Sequence, residues 1–138
     1  MIGIKYIYLK SYGEDLILRP RHDVIYPKRI NMSEDKTCME FPLSDDCDVL
    51  KKDDDGEYSQ DIGMASWLSV VTGEHEIYTF EFENGKTITF ETISPESVLY
   101  MEEMFQKYID SGYTKLPEPS DMERAAKLLD DDDMMYEI

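Results

Sequence analysis

The chain has 138 residues, 31 of them acidic and 14 basic, and a net charge of −17. A potential of that sign repels nucleic acid and anionic membrane and draws in basic partners. The 41% apolar and 12% aromatic content supplies what a disordered acidic chain lacks, so the composition describes a folded acidic domain.

The charge is uneven. Residues 1–36 hold seven Lys/Arg and five Asp/Glu, and residues 37–138 hold seven and twenty-six. No run approaches the roughly 18 apolar residues of a membrane span. The opening MIGIKYIYLK, broken by Lys5 and Lys10, lacks the basic leader and cleavage site of a signal peptide. With no secretion signal, Cys38 and Cys47 read as two reduced thiols of a soluble cytoplasmic protein.

Alternation over residues 2–10 predicts a strand with Ile2, Ile4, Tyr6 and Tyr8 on one face and Lys5, Ile7 and Leu9 on the other. Apolar side chains on both faces suit the interior of a sheet. Gly13-Glu14-Asp15 reads as a turn, Leu16-Ile17-Leu18-Arg19 as the returning strand stopped by Pro20, and Val24-Ile25-Tyr26 as a short extended run ended by Pro27. Residues 31–61 are polar and Asp-rich, anchored by Met39, Phe41, Leu43, Val49 and Leu50. They read as a long irregular segment with one short strand at 37–41. Residues 62–73 fit either a helix closed by Gly73 or a strand, and the run Trp67-Leu68-Ser69-Val70-Val71 favours the strand.

The clearest element is a hairpin at 76–93. A three-residue turn Glu83-Asn84-Gly85, with Gly85 left-handed, pairs Phe80 with Ile88 and Tyr78 with Phe90. It leaves one aromatic face and one wet face carrying Glu81, Glu83 and Glu91; a one-residue slip would mix them. Ser94-Pro95-Glu96 then opens a helix that Gly112 closes, with Val98, Met101, Phe105, Tyr108 and Ile109 along its apolar stripe. Ser120 and Glu123 are spaced as a capping box for a second helix bearing Met122, Ala125, Ala126 and Leu129. The fold class is α+β: an antiparallel sheet of hairpins followed by two C-terminal helices packed on one face. Residues 1–129 make the single domain, and 130–138 an acidic-apolar tail.

Catalytic and cofactor motifs are absent: no GxGxxG, P-loop or HExxH occurs, and no cofactor or metal is expected. With Gly56 at the sixth position of a calcium loop, Lys51 falls on the first ligand position and Ile62 on the twelfth. Cys38, Cys47, His22 and His75 lack zinc-ligand spacing, and neither histidine lies in a motif that would activate Cys38 as a nucleophile. The cluster Arg19, Arg21, His22, Lys28 and Arg29 is read as neutralising the chain's own acidic segment, not as a phosphate-binding patch.

The acids carry the functional expectation, which is a non-enzymatic one. Asp45, Asp46, Asp48, Asp53, Asp54, Asp55, Glu57 and Asp61 face only Lys51 and Lys52 in the same stretch. With Glu81, Glu83 and Glu91, and with Asp130, Asp131, Asp132 and Asp133, they form a surface suited to a basic groove. In size, charge and lack of catalytic motifs the chain is similar to small acidic inhibitors. These include phage anti-CRISPR and anti-restriction proteins and the immunity proteins of nuclease toxins. That resemblance implies mimicry of nucleic acid and inhibition of a basic nucleic-acid-binding enzyme through protein–protein contact, with no direct nucleic-acid or membrane binding. The alternative expectation is an adaptor that docks through its tail, with Asp130–Asp133 at a basic rim and Met134, Met135, Tyr136 and Ile138 in an apolar groove.

Overall fold

The computed structural model describes residues 1–11 and 13–117. The second helix expected over 120–129 and the tail 130–138 lie outside the described residues. Seven strands form one antiparallel sheet, curled into a half-barrel: β1 (Ile4–Ser11), β2 (Glu14–Pro20), β3 (Asn31–Met32), β4 (Cys38–Lys52), β5 (Tyr58–Val71), β6 (Glu76–Phe82) and β7 (Thr87–Glu91). Helix α1 (Pro95–Asp110) follows. The spatial order is β3-β4-β2-β1-β6-β7, with β5 on the other side of β4.

β1 lies between β2 and β6, as its two apolar faces require. The expected grouping of Ile4 with Tyr6 and Tyr8 fails. Against β6 the register steps from Ile4↔Phe82 to Tyr6↔Glu81, an extra residue on β1. That bulge flips the alternation, so Ile4 and Ile7 both enter the core and Tyr6 and Tyr8 stay half-buried outside it. The run at 24–26 does not join the sheet as a strand. It crosses β1 through one bridge, Ile4↔Ile25, and Pro27↔Leu43 makes another to β4.

The irregular segment expected over 31–61 is instead most of a long hairpin. β4 and β5 pair from Cys38↔Val71 to Lys52↔Tyr58, with three register shifts. Those shifts hid the strands: Met39, Phe41 and Leu43 alternate inward, the phase then slips, and Cys47 resumes the core face. Pro42, which argues against a central strand, stands beside the largest shift. Residues 67–71 belong to β5 as the strand reading has them, and the strand begins nine residues earlier, at Tyr58.

The β6–β7 hairpin adopts the expected register, Phe80↔Ile88 and Tyr78↔Phe90, and Gly85 has φ 88°. In α1 the Ser94 hydroxyl accepts the Ser97 N–H at 3.2 Å, and Pro95 occupies the first turn. Its buried stripe is Val98, Met101, Met104, Phe105 and Tyr108. Phe105 meets Phe80, Phe41 and Phe90 at ring separations of 4.7, 5.5 and 5.7 Å. One helix therefore fills the concave face, where each buried aromatic ring contributes about 1.5–3 kcal/mol. Tyr108 donates to the Ile2 carbonyl and Tyr113 to the Pro27 carbonyl, tying the end of the helix to the start of the chain.

Candidate protein-binding surface

The β4–β5 turn shows why its acids differ. The Asp53 N–H donates to the Glu57 carbonyl at 2.7 Å, and Gly56, with φ 85°, donates to the Asp53 carbonyl at 3.0 Å. The Asp53 carboxylate accepts the Ser59 hydroxyl at 2.6 Å and the N–H groups of Asp55 and Glu57 at 2.9 and 3.0 Å. Those donors, the Ser59 hydroxyl first, hold it below the usual carboxylate range. Asp53 thus organises the turn, while Asp54, Asp55 and Glu57 are exposed around it. The Asp-Asp-Asp-Gly run is a hairpin turn with its first carboxylate turned onto its own backbone.

Strand register brings other carboxylates to this end of the sheet. Leu16 lies opposite Lys51, Ser11 lies opposite both Glu14 and Glu76, and Ile77 lies opposite Glu91. The β1–β2 turn with Glu14 and Asp15, the β4–β5 turn, and the start of β6 with Glu76 therefore share one rim. Lys51 Nζ pairs with Glu14 at 3.1 Å and Lys52 Nζ reaches Asp15 at 3.9 Å, which leaves the outer acids of the β4–β5 turn in excess. The pair Glu14-Asp15 and Glu76 lie far from the Asp-rich segment in sequence, which is why they do not stand out there. The positions of the hairpin turns are the signal that would have collected them.

Asp45, Asp46 and Asp48 lie in the middle of β4, beside the Pro20 end of β2, and belong to a different environment. Arg21 Nε pairs with Asp48 at 3.1 Å, and His22 Nδ1 with the Asp45 carboxylate. The hydrogen bond from His22 is the main reason Asp45 is held below its usual range. An open depression of about 280 Å³ adjoins them, lined by Lys5, Tyr6, Arg19, Pro20, Arg21, His22 and Asp23. Two members of the basic cluster, Arg21 and His22, thus meet carboxylates of the acidic segment.

The chain matches no family model, no curated protein and no solved structure.

Glu91, exposed on β7 opposite Ile77, lies next to Glu76 at the same rim, and Asp61 is exposed on β5 opposite Leu50. Glu81 accepts the Tyr8 hydroxyl at 3.3 Å and is half-buried, while Glu83 is exposed in the β6–β7 turn. Asp130–Asp133 lie outside the described residues. Cys38 and Cys47 are both free thiols on one strand. Burial, helped by Asp45, Asp46 and Asp48, pushes the Cys47 thiol up to about 12, which removes it from thiolate chemistry. Among the described residues no three His, Cys, Asp or Glu side chains are grouped to hold a metal ion. No described helix is long and apolar enough to cross a membrane.

Proposed function

We propose that this is a non-catalytic, cytoplasmic binding protein that inhibits a nucleic-acid-processing enzyme by occupying its basic groove. The observation that carries the reading is the rim of the β4–β5 hairpin. There Asp54, Asp55 and Glu57 project at the tip of a 15-residue strand and a 14-residue strand, beside Glu14 and Asp15. A turn of exposed carboxylates on the rim of a sheet presents a narrow row of negative charge to a basic groove. Its field speeds association with a basic partner and makes binding sensitive to salt. The anti-CRISPR and immunity-protein analogy belongs to this reading, as does the expectation that nucleic acid is a competitor and not a ligand.

The test follows from the division of labour in the turn. Asp53 holds the hairpin together, so the informative variant reverses Asp54, Asp55 and Glu57 to Lys and leaves Asp53 intact. A basic nucleic-acid-binding enzyme should be captured from host lysate at low salt and released by competing DNA. The triple variant should lose at least about tenfold in affinity with its melting curve unchanged. Unchanged capture by the triple variant sinks the proposal. Loss of capture on deleting 130–138, with the triple variant still active, moves the function to the tail and to the adaptor reading.

A further inference from the structure

We propose that the open edge of β5 pairs with the same edge of a second copy, making the protein a homodimer through antiparallel strand addition. Among the described residues β5 is hydrogen-bonded as a strand to β4 alone. Its far end is tied down, since the Ser69 carbonyl accepts the Tyr78 hydroxyl at 3.0 Å and Gly73 donates to the Thr92 carbonyl at 2.9 Å. Among the described residues no strand pairs with the outer side of the stretch from Ile62 to Leu68, where the Gly63 N–H donates to the Asp61 carboxylate at 3.1 Å. Natural edge strands are guarded by charge, by proline, by bulges or by brevity; here the guards stop at Asp61 and the bulge at Ile62, and Ile62–Val71 contains no charged residue and no proline in a chain that is 33% charged. It also concentrates exposed apolar side chains. Ile62, Met64, Trp67 and Val71 are 48%, 55%, 60% and 37% exposed.

Charge selects the occupant. A basic partner is attracted to carboxylates, and none occurs between Asp61 and Glu74. Two copies at −17 repel through most of their surface, and this uncharged edge is a place where they approach without facing acids. An antiparallel strand is its own complement about a two-fold axis, so one patch supplies both halves of the contact. The proposal is independent of groove binding and has the opposite salt response: added salt screens repulsion between the two acidic bodies and strengthens the dimer.

Trp67 is the only tryptophan in the chain, so its fluorescence reports on the edge directly. Sedimentation velocity of the full chain, over a range of concentration and salt, should show a species of twice the 16.2 kDa mass that grows with both. Trp67 emission should shift to the blue as that species forms. Trp67→Lys should weaken dimerisation by about a hundredfold, and Met64→Lys, at a second exposed site on the edge, should also weaken it, each with an unaltered melting curve. A monomer at all concentrations overturns the proposal. So does a dimer that survives both substitutions. Concentration-independent blue emission in a monomer also overturns it, because residues 118–138 of the same chain would then be the cover.

Discussion

Gly3 shows how one side chain's absence shapes the start of the fold. A Cβ built there stands 2.6 Å from both Cβ and Cγ2 of Val24, closer than real Cβ contacts allow. The glycine lets the 24–27 segment cross β1 and form the Ile4↔Ile25 bridge, whose backbone hydrogen bonds are both 2.9 Å. Gly3→Ala should therefore cost about 1–3 kcal/mol, the penalty of forcing volume into a closed contact. Urea unfolding measures it. A loss under about 0.5 kcal/mol, the size of an ordinary surface substitution, would mean that the crossing segment yields freely. Tyr108 and Thr92 make the same point with polar groups. The buried Thr92 hydroxyl reaches the Glu74 carbonyl, and Tyr108 reaches Ile2. Neither partner lies nearby in sequence, so local patterning gave no notice of either contact.

Among the elements, α1 binds the curled sheet together. Phe105, fully buried, touches β4 through Phe41, β6 through Phe80 and β7 through Phe90, so it spans both halves of the half-barrel. Phe105→Ala should cost about 3–5 kcal/mol, whereas Ser94→Ala, which removes only the cap, should cost about 1 kcal/mol. Equal effects in urea unfolding would contradict the view that packing, not capping, holds the helix in place. This helix and the β6–β7 hairpin were legible in the sequence because their signals are local: Ser-Pro-Glu, a 3.6-residue stripe, strict alternation and a Gly-containing turn. β4 and β5 were legible only where the runs 37–41 and 67–71 fall on them, because bulges broke the period elsewhere and Pro42 and the aspartates mimicked a loop. The same blindness affected the candidate surface. The acids that are close in sequence divide between the middle of β4 and the β4–β5 turn, and carboxylates far apart in sequence meet at the rim.

At the scale of the whole molecule the net charge was plain from composition, but its distribution depends on the curl of the sheet. Asp48 is paired with Arg21 and Asp45 is hydrogen-bonded to His22, whereas the hairpin rim retains an excess of carboxylates. Buried and half-buried hydroxyl and thiol groups make stability depend on alkaline pH. Burial, reinforced by Glu81, raises the Tyr8 hydroxyl to about 12, and burial raises the Cys47 thiol to about 12 as well. Tyr78 and Tyr108 are pushed higher still, mainly by burial. Each of these groups keeps its proton longer in the folded chain than in the unfolded one. The stability they contribute is complete below the ordinary thiol and phenol values and is lost as pH rises towards the folded ones. Between about pH 9 and about pH 12 the unfolded state sheds protons that the native state retains, and its growing negative charge does not have to be packed. Stability should fall by at least about 2 kcal/mol across that window, a figure already reduced for the partial exposure of these groups. Urea midpoints measured along an alkaline series, with tyrosinate absorbance followed in parallel, test this. Ionisation of the tyrosines should coincide with unfolding. A native protein that ionises all its tyrosines near pH 10 with an unchanged urea midpoint would show that these hydroxyls are open to water and that the aromatic core does not close as described.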